Sequence, residues 1–461
     1  MPQMSPENSR RFSLPPAFQW VALGVVVFVS RLPFLSAGYG MNSDAWRVAN
    51  TARHIAETGQ YEVSRFPGNP IHEIACAFLW RGGPVALNGA SALFSVLAAL
   101  MFARLARQAG CKDWLPATLA FAFLPLVYIC SVTSKDCIWS LAFTLAALTL
   151  VSRPVAAGVA LGLAIGCRIT AGTAALPLTL LLLVSGDPAT RLRRFVQFAG
   201  CAAVTAIASF LPVFLRYGTG FFTCYTVDHS NLRTILIRAT QEVWGWPGIA
   251  GILIAACAAA FSLLRRPRVG FKALVSPYSA AWIAGLLATL PVFIALPHQA
   301  AYLLPVTPFV ILFLARHSPR PAFLAFCGLA IASSFIEFGQ TGPRAGAILE
   351  DHRERVALGE SLKRYLTITE NLPGKNIFVL GEMQPKVLNL TADSPHPNIQ
   401  YAYLLGVQDI IAAHRQGATI WVTPIIRNAN FQTNGIDLAK YGARNFLAEH
   451  GREMQAPAGR P

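Results

Sequence analysis

The chain has 461 residues, 54% of them hydrophobic and only 13% charged, with a formal net charge of +16. That composition excludes a string of soluble domains and fits a chain that threads a bilayer several times. The cations stand in short clusters between apolar spans, as orientation in a membrane requires, so the positive charge does not indicate a nucleic-acid partner. The nine cysteines are scattered, mostly within apolar spans, and none follows Cys327, which excludes a disulfide framework or a CxxC metal site.

Arg10 and Arg11 precede the first span, Phe18 to Leu35, which reads as a retained anchor with Arg31 near its far end placed to snorkel. Ser43 to Glu73 follows, the longest polar interruption in the N-terminal part. Val48, Ala49, Ala52, Ile55 and Ala56 recur at spacings of three and four against Arg47, Arg53, His54 and Glu57. A surface helix over Ala45 to Glu57 is therefore expected, with Ser43 as N-cap and Gly59 as terminator. Tyr61 to Phe66 reads as extended, and Pro67-Gly68-Asn69-Pro70 as a turn. Further spans run over Pro84–Leu105, Trp114–Ser131, Cys137–Val151, Pro154–Cys167 and Ala171–Val184. After a basic loop come Phe195–Leu215, Trp246–Leu264, Tyr278–Leu296, Tyr302–Leu314 and Pro321–Phe335. The fold class is a polytopic α-helical membrane protein with about eleven transmembrane helices over residues 1–338 and an external loop at 36–83.

If the N-terminus is cytoplasmic, the basic groups at 104–112, 191–194, 265–268 and 316–320 all lie inside. The Ser43–Glu73 segment, Asp136, Arg168, His298 and the tail then share the opposite face. The tail, residues 339–461, has soluble composition. Ile377–Leu380 and Ile420–Val422 read as strands and Tyr401–His414 as a helix, so a small extracytoplasmic α/β domain is expected.

Asp44, Glu73 and Asp136 are the acids placed at outward ends of spans in the first half of the chain. A carboxylate shielded from water at a membrane edge is suited to general-base work, because desolvation lifts its proton affinity. Asp44 could equally support its helix N-terminus, and Asp136 could cap the span at Cys137, with Lys135 beside it as a neutralising charge. Arg168 interrupts an apolar run and needs an anion or an acidic partner, either a lipid phosphate or Asp136 or Glu73. Arg65, His72 and Glu73 surround a Pro-Gly turn; His72 and Glu73 with Asp44 would also suit a divalent metal, which the chemistry does not require. His298, Gln299 and Tyr302 stand where a phosphate or sugar hydroxyl could be bound.

The run Asp44…Glu57-Thr58-Gly59…Tyr61…Val63…Arg65-Phe66…Gly68…Pro70…Glu73 resembles the first external loop of C-type (GT-C) glycosyltransferases. It is nearest to the lipid A aminoarabinose transferases and their protein mannosyltransferase relatives. Ser134-Lys135-Asp136 resembles the second acidic loop of that superfamily. Gly162-Leu163…Arg168-Ile169-Thr170…Leu176-Pro177 and His298…Tyr302-Leu303-Leu304-Pro305…Pro308 resemble two later segments. Ala301, where the last segment usually has arginine, and Ile74, where the aminoarabinose transferases have lysine, depart from the pattern.

The resemblance implies inverting transfer of a hexosyl or pentosyl group from a polyprenyl-phosphate donor to a hydroxyl of a lipid, polysaccharide or protein acceptor. It implies a GT-C-like catalytic domain in a bacterial inner membrane, with its active site facing the periplasm. Asp44 and Asp136 would be catalytic, Asp44 as base. Arg168 would lead in stabilising the departing phosphate, with Lys135, Arg65 and His298 as further cations; Asp136 and Glu73 would position the acceptor or orient these cations. No nucleotide-binding glycine loop is present. The rival expectation is a transporter of lipid-linked sugars, which calls for two related halves and helices broken near the bilayer midplane.

Overall fold

The computed structural model describes residues 16–184, 188–223, 231–265, 276–297, 299–339, 342–380, 398–403, 407–422 and 438–455. The helical part comprises α1 (Pro16–Arg31), α2 (Ser43–Thr58), α3 (Pro70–Leu79), α4 (Gly83–Gln108), α5 (Trp114–Ala122), α6 (Pro125–Ser131), α7 (Cys137–Thr149) and α8 (Pro154–Cys167). It continues with α9 (Ala175–Val184), α10 (Arg191–Tyr217), α11 (Leu232–Ala239), α12 (Gln241–Arg265), α13 (Pro277–Ala295), α14 (Val306–His317) and α15 (Arg320–Ala332).

Five helical segments, those carrying α1, α3–α4, α10, α12 and α13, are long and apolar enough to cross a membrane. The pair α5–α6 qualifies as a sixth, bent by 61°. The remaining apolar helices, α7, α8, the segment ending in α9, α14 and α15, are shorter, 10–17 residues each. Large apolar side chains such as Val204, Ile207, Leu211 and Leu215 on α10, or Leu253 and Leu287 on α12 and α13, face outward. Helices apolar on both faces fit hydrocarbon rather than water. The protein is a multi-pass helical membrane protein.

Two local devices fix the framework. Gly158, Gly162 and Gly166 form a strip along α8 against α10. A Cβ on Gly158 would stand 2.4 Å from the Phe198 carbonyl oxygen, and one on Gly162 2.4 Å from the Thr205 Cβ. Only glycine lets these backbones approach so closely, the small-residue packing that membrane helices use. The end of α8, and with it Arg168, is thereby set.

The second device concerns Arg31, expected to snorkel; its side chain is instead fully buried. It donates to the carbonyl oxygen of Ala122, through Nε to Ser131 Oγ at 3.2 Å, and through Nη1 to Ser30 Oγ at 2.7 Å. Breaking the span at Phe123–Leu124 frees carbonyls that hydrocarbon cannot satisfy, and the guanidinium takes one of them.

The tail begins with a hairpin of β1 (Ile336–Gly339) and β2 (Gly342–Ala345), then a 24-residue helix, α16 (Ala347–Glu370). Strands β3 (Asn376–Leu380), β4 (Ile399–Tyr403), β5 (Thr419–Val422) and β6 (Arg444–Asn445) form a parallel sheet in the order β4-β3-β5-β6. Helices α17 (Val407–Arg415) and α18 (Phe446–Gln455) complete it. The stretch read as one helix from Tyr401 is thus strand over Tyr401–Tyr403 and helix from Val407, because the β-prone residues ending at Tyr403 pair with β3. Leu362 and Tyr365 of α16 pack with Phe378, Trp421 and Phe446, and with Trp46 of α2, so the tail is docked on the surface helix.

Candidate active site

α2 begins at Ser43 itself, so the N-cap is one residue earlier than expected: Asn42, its Oδ1 accepting from the Asp44 amide at 2.9 Å. Gly59 closes the helix in the left-handed conformation at φ 69°. Val48, Ala49 and Ala52 are buried against Cys76 of α3 and Leu87 of α4. This packing leaves the Asp44 carboxyl pointing into the protein.

The second acid comes from the loop between α6 and α7, residues 132–136. That loop is stitched to the loop after α1 through Asn88, a buried amide in the first turns of α4. Asn88 Nδ2 donates to the carbonyls of Leu35 and Gly38 at 2.9 Å each, and its Oδ1 accepts from Ser134 Oγ at 2.8 Å. The Ser134 amide donates to the Tyr39 carbonyl at 3.0 Å. Gly40 sits between the loops at φ 147°, where a Cβ would lie 3.1 Å from that of Ala45. The two acid-bearing loops are one unit.

Arg65, from the extended stretch after α2, joins the two acids. Its Nη2 donates to Asp136 Oδ1 at 2.6 Å, and its Nη1 lies 3.5 Å from Asp44 Oδ2. Arg168 Nη1 takes the other Asp136 oxygen, Oδ2, at 2.9 Å and also reaches Cys137 Sγ at 3.0 Å. The Arg168 guanidinium lies over the Tyr302 ring, 4.5 Å from its centroid. Of the two acids weighed as partners for Arg168, Asp136 and Glu73, it meets Asp136. Asp136 occupies the N-cap position of α7 but makes no side-chain cap, its oxygens being taken by the two guanidinium groups.

Gln299 links Asp44 to Lys135: its Nε2 donates to Asp44 Oδ2 at 2.6 Å and its Oε1 accepts from Lys135 Nζ at 3.0 Å. Lys135 is therefore tied to Asp44 through an amide rather than to its neighbour Asp136. Arg47 Nη1 stands 4.0 Å from Asp44 Oδ1. Four cations, Arg65, Arg168, Lys135 and the more distant Arg47, thus surround two carboxylates and leave a positive surplus. A cavity of about 360 Å³ opens beside the cluster, walled by Lys135, Gln299, Thr133, Arg238 and Asp351.

Electrostatics reverse one sequence expectation. Burial of Asp44 pushes its proton affinity up, but Arg65, Lys135 and the Gln299 hydrogen bond outweigh it and hold the carboxyl below its usual range. For Asp136 burial also pushes upward, and Arg65 and Arg168 hold it far below. Both acids are ionised acceptors. The desolvation that was to lift Asp44 is more than offset by its cations.

Glu73 and His72 bond to other partners than this cluster. Glu73 is fully buried and accepts from Tyr61 Oη at 2.5 Å, from the Ser64 amide at 2.7 Å and hydroxyl at 2.5 Å, and from the Asn69 amide at 3.0 Å. It holds the 61–69 loop in shape, and so positions Arg65. His72 is buried beside Trp139, ring centroids 5.1 Å apart, with Nε2 3.6 Å from Cys76 Sγ. The trio Arg65, His72 and Glu73 does not form, because each side chain turns to a different partner. Nor do Asp44, His72 and Glu73 converge on a metal; among the described residues no three His, Cys, Asp or Glu side chains group to hold one. His298 lies outside the described residues. Sequence reasoning missed Asn42, Asn88, Tyr61, Ser64 and Cys137; the lone Asn88 in an apolar span was the readable signal.

No family model and no curated protein matches the chain. Among solved structures, ArnT from Cupriavidus metallidurans bound to undecaprenyl phosphate superposes with a TM-score of 0.57 at 15% identity, covering 88% of this chain and 92% of ArnT. The chain has the GT-C fold. The apo structure of the same ArnT gives a TM-score of 0.46 at 14% identity, covering 88% of this chain and 93% of ArnT. Arabinosyltransferase EmbB from Mycobacterium smegmatis gives 0.38 at 14%, covering 80% of this chain and 35% of EmbB. Neither of these two adds weight beyond the first. On the GT-C fold, the cluster of Asp44, Asp136, Arg65, Arg168, Lys135 and Gln299 is a set of acids and cations gathered at one end of the helical bundle.

Proposed function

We propose that the chain is an inverting membrane glycosyltransferase that moves a sugar from a polyprenyl-phosphate donor to a hydroxyl of a cell-envelope acceptor. The observation that carries this reading is the shared Arg65 between two ionised carboxylates, with Lys135 and a cavity alongside. The fold shared with ArnT, a protein crystallised with undecaprenyl phosphate, supports the choice of donor.

In this mechanism the acceptor oxygen attacks the anomeric carbon from the face opposite the lipid phosphate. A bond forms from that oxygen to carbon, the bond from carbon to the phosphate oxygen breaks, and its electron pair leaves with the phosphate. Asp44 takes the acceptor's proton. A carboxylate with a lowered pKa is a weak base, and it suffices where the leaving group departs ahead of attack and the hydroxyl becomes acidic only late. Gln299 and Arg65 hold Asp44 in line. Lys135 and Arg168 offset the charge that builds on the phosphate, while Asp136 keeps Arg65 and Arg168 side by side. The sugar is a hexosyl or pentosyl group, and the acceptor a lipid, polysaccharide or protein. The cluster faces the periplasm of a bacterial inner membrane, in keeping with the basic loops at the other end.

The test is transfer from a radiolabelled polyprenyl-phosphate-sugar pool by purified protein in detergent, with a cell-envelope extract as acceptor. Label should move with wild type and not with Asp44→Asn. If both proteins instead carry donor across liposomes without transferring label, a lipid-linked-sugar transporter replaces this reading.

A further inference from the structure

The opposite end of the bundle carries a second cavity that the proposed chemistry does not use. α4 has 26 residues, which at 1.5 Å per residue carries the chain about 39 Å away from the loops stitched by Asn88. α5 starts at that far end, and α14, which begins beside the cluster, finishes there. Between these ends lies a cavity of about 530 Å³. Its floor is apolar, made by the buried Trp282, Leu312 and Phe323.

Its rim is basic. Lys112, Arg316 and Arg320 line it, together with a single acid, Asp113. That acid is already taken: Arg320 Nε stands 3.0 and 3.2 Å from its two oxygens. Lys112 and Arg316 are exposed, and among the described residues neither has a carboxylate within ion-pair distance. The adjoining turn marks an interfacial level. Trp20 and Trp114 stack with centroids 5.7 Å apart, and the Arg107 guanidinium lies 5.6 and 5.5 Å from the two rings. Paired tryptophans with an arginine are what a helix end presents to lipid headgroups.

We propose that this cavity binds the phosphate headgroup of an anionic phospholipid, with Lys112 and Arg316 on the phosphate and the upper acyl chain against Trp282, Leu312 and Phe323. A basic pocket between membrane helices at the positively charged end has the form that anionic lipid headgroups fit. The volume is in the range of small-molecule sites. Arg320 is held by Asp113 and shapes the rim; the two unpaired cations supply the attraction. The site is independent of the transfer reaction and stands or falls without it.

The test uses the full chain in neutral detergent, with thermal unfolding and native mass spectrometry as readouts. Adding dioleoylphosphatidylglycerol should raise the Tm by about 3 °C at a hundredfold excess over Kd and leave a lipid bound, whereas dioleoylphosphatidylcholine should do neither. The double variant Lys112→Gln/Arg316→Gln, at two exposed positions, should fold with the same starting Tm and lose both effects. Equal responses to the two lipids, or an unchanged response in the double variant, would overturn the proposal. An equal rise with inorganic phosphate alone would overturn the lipid and leave a free phosphate as the ligand.

Discussion

Asp136 and Glu73 are both fully buried carboxylates, and they do opposite things. Asp136 is met by two guanidinium groups and Glu73 by neutral donors only, namely a phenol, a hydroxyl and two amides. The first arrangement keeps charge available beside a cavity. The second uses up every oxygen lone pair it can on one loop and has nothing left for a substrate. Burial alone does not make an acid functional; the kind of partner decides.

The largest expected effect is on Asp44. Asp44→Asn removes the proton acceptor while keeping the Gln299 contact, so transfer should fall by about 10²- to 10⁴-fold with the Tm unchanged. A variant with near wild-type rates would break the distinction between the cluster and the Glu73 loop. Next is Asp136→Ala, which strips Arg168 of its acidic partner and leaves Arg65 with Asp44 alone. Removing one partner of such a group costs about 3–5 kcal/mol, to be read by denaturant or thermal unfolding in detergent. Gly162→Val tests the framework that carries Arg168: its side chain would collide with Thr205, and overpacking of this kind costs about 1–3 kcal/mol, with a matching loss of transfer as Arg168 shifts.

Glu73→Gln should be mild by comparison. The amide oxygen keeps the Ser64 bonds and only part of the remaining set is disturbed, so about 1–2 kcal/mol of stability should be lost with kcat nearly unchanged. A collapse of kcat at unchanged stability would move Glu73 into the cluster. The smallest effect is on pH. Carboxyls held below their usual range are ionised, and stabilising, above the ordinary carboxylate pKa and lose that role only as pH falls through the lowered value. The acid limb of transfer should therefore lie below the ordinary carboxylate range, and Arg65→Gln should move it upward by about one pH unit. An acid limb near pH 6 in wild type would contradict the lowered Asp44.

Much of the helical order was legible because apolar runs and their breaks are local facts. The surface helix after α1, its Gly59 stop and the turn before Pro70 all stand where spacing and turn residues put them. The 24-residue α16 went unread because its face is mostly polar and its few apolar anchors, Ile348, Leu362 and Tyr365, are widely spaced. Arg31 was misjudged for a related reason: a cation near a span's end snorkels unless a neighbouring helix breaks and offers a carbonyl, and that break lies ninety residues further on.

By itself the sequence determined that this chain lives in a bilayer, where its polar loops fall, and which acids and cations stand at span ends. Those are consequences of hydropathy and of the charge each residue carries. Only the tertiary structure decided that Asp44 and Asp136 share Arg65, that Gln299 ties Lys135 to Asp44, and that Glu73 and His72 turn away. Those contacts join residues as far apart as Asp44 and Gln299, 255 positions in sequence. Hydrogen-bond geometry and electrostatics act over a few ångströms of space, and no periodicity along the chain records which residues will be brought that close.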